Sequence, residues 1–160
     1  MSSLQVIEIF AGQGPDGQPV AEKLHVKVNE DKSCQLVKSP AFAKGLASGD
    51  TIKFDHDDQS FEILKHSGNL SIRIYCREDM DTLVDGLAPE LEKLGAELDI
   101  ETPRMLVFSI HVSIGFKTIE SILDDHVGEH SNSIWFYGNV YDPEDGVTPL
   151  NWWKDILKPE

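Results

Sequence analysis

What this sequence has least of is positive charge: Lys and Arg number 14 against 28 Asp and Glu, a formal charge of −14 at pH 7. Nucleic-acid backbones and anionic lipid surfaces recruit clustered cations, so neither nucleic acid nor membrane is expected as a partner. Long apolar runs are missing as well, since none approaches the ~18 residues needed to cross a bilayer. The opening Met1-Ser2-Ser3-Leu4 has neither the basic start nor the apolar stretch of a signal peptide, which predicts a cytoplasmic location. Cysteine is scarce. Cys34 and Cys76 stand far apart without C-x-x-C spacing, a pattern of reduced, half-buried thiols rather than a disulfide or zinc site. No G-x-x-x-x-G-K run, no strand-borne G-x-G-x-x-G and no G-x-S-x-G elbow occurs, which removes the signposts of nucleotide and α/β-hydrolase chemistry. No cofactor is expected.

What is present is ordinary for a packed protein: 40% hydrophobic and 26% charged residues over 160 positions, enough to bury a core without metals or disulfides. The first seventy residues read as short strands. Leu4 to Phe10 alternates as one, and the turn-rich Gly12 to Gly17 closes it. Leu24, Val26 and Val28 share one face of a second, Ser33 to Val37 forms a third, and Pro40 ends it. Ala41 to Leu46 reads as one helical turn. Thr51 to Phe54 and Phe61 to Leu64 then flank Asp55-His56-Asp57-Asp58-Gln59 as a hairpin.

From Leu70 the pattern changes. Leu70, Ile72, Ile74 and Cys76 share one strand face, and Asp79 is placed to cap a helix whose stripe runs Met80, Leu83, Val84, Leu87, Leu91, Leu94 up to Gly95. Pro89 should kink that helix or split it. Ala96 to Glu101 and Arg104 to Val112 read as strands, with Met105 to Phe108 the choice for a central one. Phe116, Ile119, Ile122, Leu123 and Val127 mark a second helix, and Ser133 to Tyr137 a last strand. The predicted class is α+β. A β-rich meander or small barrel (residues 1–69) precedes a ferredoxin-like βαββαβ unit (70–141), and an extension with a short helix follows (142–160).

The block Pro40-Ala41-Phe42-Ala43-Lys44-Gly45-Leu46-Ala47-Ser48-Gly49-Asp50, then Ser67-Gly68 and Arg73, Leu94-Gly95, and Trp135 on the last strand recur in order. In this the chain resembles an uncharacterised bacterial domain family built on P-x-x-A-x-G-x-x-x-G-D followed by S-G-x-x-x-x-R. The resemblance spans roughly residues 24 to 138. It implies a β-rich part and an α+β part, and it assigns no activity and no catalytic residue.

His126-Val127-Gly128-Glu129-His130 matches the H-x-x-E-H order of inverted zinc peptidases, in which two histidines one helical turn apart hold zinc and the glutamate activates water. Gly128 weakens the helix such a site needs, and a helix C-terminus favours histidines without any metal. Asp55 to Asp58 lacks the alternating ligands and turn glycine of a calcium loop. Arg73, Tyr75 and His111 alternate with core positions and mark an open sheet face that could bind a ligand. Trp152 and Trp153 are candidate anchors for a partner unless they fold back onto the core. Together these features predict a non-catalytic binding or regulatory module for a protein partner or small ligand. The alternatives are a metal-dependent hydrolase using His126, Glu129 and His130, or an acidic inhibitor or immunity-type protein that covers a basic partner.

Overall fold

The structure is a computed structural model that describes residues 3–13, 16–55, 57, 60–77, 81–128, 132–142 and 145–157. Its first half is a five-stranded antiparallel meander: β1 (Ser3–Gln13), β2 (Pro19–Val28), β3 (Cys34–Leu36), β4 (Thr51–Asp55) and β5 (Ser60–Lys65), lying side by side in chain order. Alternation decides which side is inside. Ile7, Ile9, Leu24, Val26, Cys34, Leu36 and Ile52 point to one face and bury there, as a period of two requires.

The second half is a four-stranded antiparallel sheet of β6 (Asn69–Cys76), β7 (Glu97–Glu101), β8 (Met105–His111) and β9 (Ser133–Tyr137), in the order β7-β8-β6-β9. The expected central strand and its neighbour are at the centre, β6 pairing with both β8 and β9. Helices α1 (Asp81–Glu92) and α2 (Phe116–His126) lie on one face. Their Leu83, Leu87, Leu91, Ile119 and Leu123 pack with Leu70, Ile72, Ile74, Leu106, Phe108 and Ile110 of the strands. A short helix α3 (Trp153–Ile156) follows near the end of the chain. The class is therefore α+β, with two antiparallel sheets and few helices.

Of the kink or split expected at Pro89, the split does not occur: helix α1 runs unbroken through it, because Pro89 and Asp85 both sit on the exposed side, where water can satisfy the carbonyl that loses its donor. Ala41 to Leu46 is a run of bends without a helical turn. Its amides are bonded elsewhere, as described below. The predicted cap Asp79 lies outside the described residues. Among the described residues no helix is long and apolar enough to cross a membrane.

Candidate functional site

The segment between β3 and β4, residues 37–50, carries the P-x-x-A-x-G-x-x-x-G-D block and lies where the two sheets meet. Its polar groups are bonded to both. The Ser39 amide donates to Asp99 Oδ2 (2.8 Å) and its hydroxyl pairs with that of Ser109 (2.6 Å), which in turn donates to Asp99. Asp50 is fully buried and accepts from the amides of Ala47 (3.0 Å) and Ser67 (2.8 Å). Gly49 adopts φ +85, and a Cβ there would stand 2.9 Å from Ser67 Cβ, so the block needs glycine for both conformation and space. The sequence block is thus a clamp.

Its most polar knot joins Glu22 of β2 to Arg73 of β6. The Glu22 carboxylate accepts the N–H groups of Ala41 (2.6 Å), Phe42 (3.0 Å) and Ala43 (2.8 Å). From the other side the Arg73 guanidinium donates to the carbonyls of Phe42 (3.2 Å) and Ala43. Peptide units 42 and 43 therefore point their donors at an anion and their acceptors at a cation, an orientation that stabilises both charges. A helical turn would need the carbonyls held by Arg73 and the Gly45 amide, which donates instead to the Gly138 carbonyl (2.8 Å), so none forms. Burial pulls Arg73 below its ordinary value, and Tyr75 and Glu22 oppose that.

Beside this knot lies a cavity of about 320 Å³ lined by Lys44, Arg73, Phe136, Tyr137, Gly138, Tyr141, Asp142 and Gly146. Three separate stretches build it: the clamp, β6, and the chain leaving β9. Tyr137 turns its ring to the helix side, where it meets Phe116 and donates its hydroxyl to Glu120 (2.9 Å), and its pKa is pushed up by burial and by that carboxylate. Gly138 permits the closest approach, because a Cβ would stand 2.8 Å from Ser71 Oγ and 3.0 Å from Arg73 Nε. Both of those atoms are buried without a hydrogen-bond partner. A wider hollow of about 620 Å³ lies at the far end of β6 and β9, and its rims at Arg77, Gly128 and Asn132 adjoin residues outside the described set.

The face carrying Arg73, Tyr75 and His111 is not open as expected. The clamp covers its middle and buries Arg73 to 2% exposure. His111 pairs with Asn69, four residues along β6 from Arg73, a separation of roughly 13 Å at ~3.3 Å per residue. Its ring lies against Gly68 and accepts from the Ser113 amide (3.1 Å). Tyr75 stacks on Phe136 near the opposite end, with ring centroids 5.5 Å apart. The three residues do not converge. Trp152 is no exposed anchor either: it is buried, stacks on His66 at 4.8 Å and donates to the Asn139 carbonyl (2.8 Å). Half-buried Trp153 meets Phe116 edge-on at 5.2 Å. His126 closes α2, and Val127 after it is extended. The His126 ring bonds Glu90 of α1. Glu129 and His130 lie outside the described residues, as do His56 and Asp58 of the hairpin tip. Among the described residues no three His, Cys, Asp or Glu are placed to hold a metal.

Sequence reasoning missed Lys44, Gly138, Tyr141 and Asp142. Lys44 sits inside the recognised block, but only the fold brings the chain after β9 across to it. The family profile described as a domain of unknown function (DUF4265) matches residues 22–134. The chain belongs to that family. The matched DUF4265 region holds Glu22, the clamp and Arg73, while the cavity wall from Phe136 to Gly146 lies beyond it. The chain is also similar to a solved structure titled "Novel crystal structure of a hypothetical protein from Neisseria gonorrhoeae". The two are 16% identical with a TM-score of 0.68, over 85% of this chain and 94% of that one, which shows a shared fold. No curated protein matches the sequence.

Proposed function

We propose that this DUF4265 protein is a non-catalytic binding module, and that its ligand is a small molecule held in the cavity beside Gly138. One observation carries the reading. A cation buried to 2% exposure meets Phe136 and Tyr141 at a hollow of about 320 Å³, within the size range of small-molecule sites. Convergence of few polar groups and several rings is what such sites share. The second half reads as ferredoxin-like. In support, its four strands follow the order β7-β8-β6-β9 with both helices on one face, so the last strand pairs beside the first and presents its end to the cavity.

The test is a screen of mixed neutral and charged small molecules against the whole protein, read by backbone amide shifts. Binders should move Gly138, Tyr141 and Gly146 together. A screen whose shifts scatter over the surface, or cluster elsewhere, sinks the reading.

A further inference from the structure

We infer that the cavity is selective for a small organic anion, a carboxylate or phosphate carried on a flat apolar body; this rests on the reading of the cavity as the binding site. The first argument is charge. In a chain of net −14 this hollow is lined by two cations, Lys44 and Arg73, and one carboxylate, Asp142. A cleft with a local excess of positive charge concentrates anions in preference to cations.

The second argument is compensation. Arg73 forms no ion pair among the described residues, its bonded partners being the two carbonyls of Phe42 and Ala43. Glu22 lies behind those peptides with three amides on its carboxylate. A desolvated guanidinium with only neutral acceptors is incompletely compensated, and an anion in the adjoining cavity completes it. A neutral ligand would leave it as it is, and a cation would be repelled.

The third argument is the pair of unpartnered atoms, Arg73 Nε and Ser71 Oγ, in side chains exposed by 2% and 0%. Both lie on the side of Gly138 where a side chain would project. Gly138 itself lines the cavity, so a donor pair stands directly behind its wall. Phe136, on the same face as Arg73, and Tyr141 then offer the apolar body a seat. A volume of about 320 Å³ fits a single ring with its acid group and excludes a polymer.

The experiment titrates the whole protein with benzoate, phenyl phosphate, benzyl alcohol and benzylammonium, following amide shifts and heats of binding. Benzoate or phenyl phosphate should bind roughly tenfold tighter than benzyl alcohol, the difference between charge-assisted and neutral hydrogen bonds. Benzylammonium should not bind, and the tighter of the two anions identifies the acid group. Lys44→Gln, at an exposed position, should weaken the anion roughly two- to fivefold, the worth of an exposed ion pair, and leave benzyl alcohol unchanged. Benzyl alcohol binding in the cavity as tightly as either anion overturns the selectivity and leaves the binding site standing. Four titrations without shifts at Gly138, Tyr141 and Gly146 overturn both.

Discussion

Glu22 and Arg73 hold one piece of backbone between them: the carboxylate takes the N–H groups of residues 41 to 43, and the guanidinium takes the carbonyls of 42 and 43. Because Glu22 belongs to β2 and Arg73 to β6, this short stretch ties the five-stranded sheet to the four-stranded one. It also places Lys44, the next residue, at the cavity. The tie between the sheets and the cavity wall therefore share one set of hydrogen bonds.

Removing either end of that arrangement should cost more than an average substitution. Arg73→Leu strips the buried Ala43 carbonyl and the part-buried Phe42 carbonyl of their donor, at about 1–3 kcal/mol for a buried group left unsatisfied. Arg73→Lys should not restore them, since an ammonium cannot span two acceptors as a planar guanidinium does. Glu22→Gln should cost less than Arg73→Leu, because the amide oxygen still accepts. Urea unfolding of the three variants ranks them, and a double substitution of Glu22 and Arg73 should be less damaging than the sum. Additive losses would show that the two charges do not act on each other.

Gly138→Ala should destabilise by about 1–3 kcal/mol, the usual cost of overpacking. The new methyl would press on Ser71 Oγ and Arg73 Nε, at 2.8 and 3.0 Å. Ser71→Ala in the same chain should recover part of the loss, since it removes the nearer atom. Thermal unfolding measures both, and an unaffected Gly138→Ala protein would mean that this wall is looser than its geometry.

How much of this could be read from the sequence depended on the range of the interactions. Strands such as Leu70 to Cys76 and the stripe of α2 announced themselves through periodicity, because one face of each is buried against a single neighbouring layer. The clamp did not. Ala41 to Leu46 has the local composition of a helical turn, and only Arg73 and the Gly138 carbonyl, both far along the chain, divert the groups that would close it. Arg73 was legible as a sheet residue but not as a buried one, since nothing in its own strand says that a loop from the other sheet lies on it. Lys44 and Tyr141 meet through tertiary structure alone. The tail tryptophans left both outcomes open, and burial of Trp152 against His66 decides it.

Trp152→Ala should cost about 3–5 kcal/mol, as large aromatic truncations in a core do. Trp152→Phe retains a ring for His66 and loses the bond to the Asn139 carbonyl, so about 1 kcal/mol is expected. Truncation after Tyr141 should lower the melting temperature at least as far as Trp152→Ala. A truncated protein that melts like the full chain would show that the tail contributes nothing to the fold.

The two thiols should separate in reactivity. Burial raises the Cys34 pKa and leaves the side chain 5% exposed, whereas Cys76 is half-buried at the end of β6. Thiolate is the reacting form, so Cys34 is disfavoured twice, by protonation and by access. Iodoacetamide followed by peptide mass mapping should label Cys76 first and Cys34 only with unfolding. Equal labelling rates under native conditions would contradict the burial of β3.

Acid should loosen the turn beside the cavity before it unfolds the sheets. Asp145 accepts from the Thr148 hydroxyl and from the amides of Thr148 and Val147, both at 2.9 Å, and these bonds lower its pKa from the ordinary 3.8, in the order Thr148 side chain, Thr148 backbone, Val147 backbone. A depressed carboxylate contributes its stabilisation in full above the unfolded pKa and loses it as pH falls through the folded one. The turn should therefore hold at neutral pH and open below the usual carboxylate range. Gly146, which donates to the Asp142 carbonyl (2.7 Å) within this turn, lines the cavity, so the same protonation should disturb the cavity. Amide shifts of Val147 and Thr148 should titrate with that low midpoint, and the titration should vanish in Asp145→Asn. A midpoint at or above 3.8 would mean that the three bonds are not made in solution.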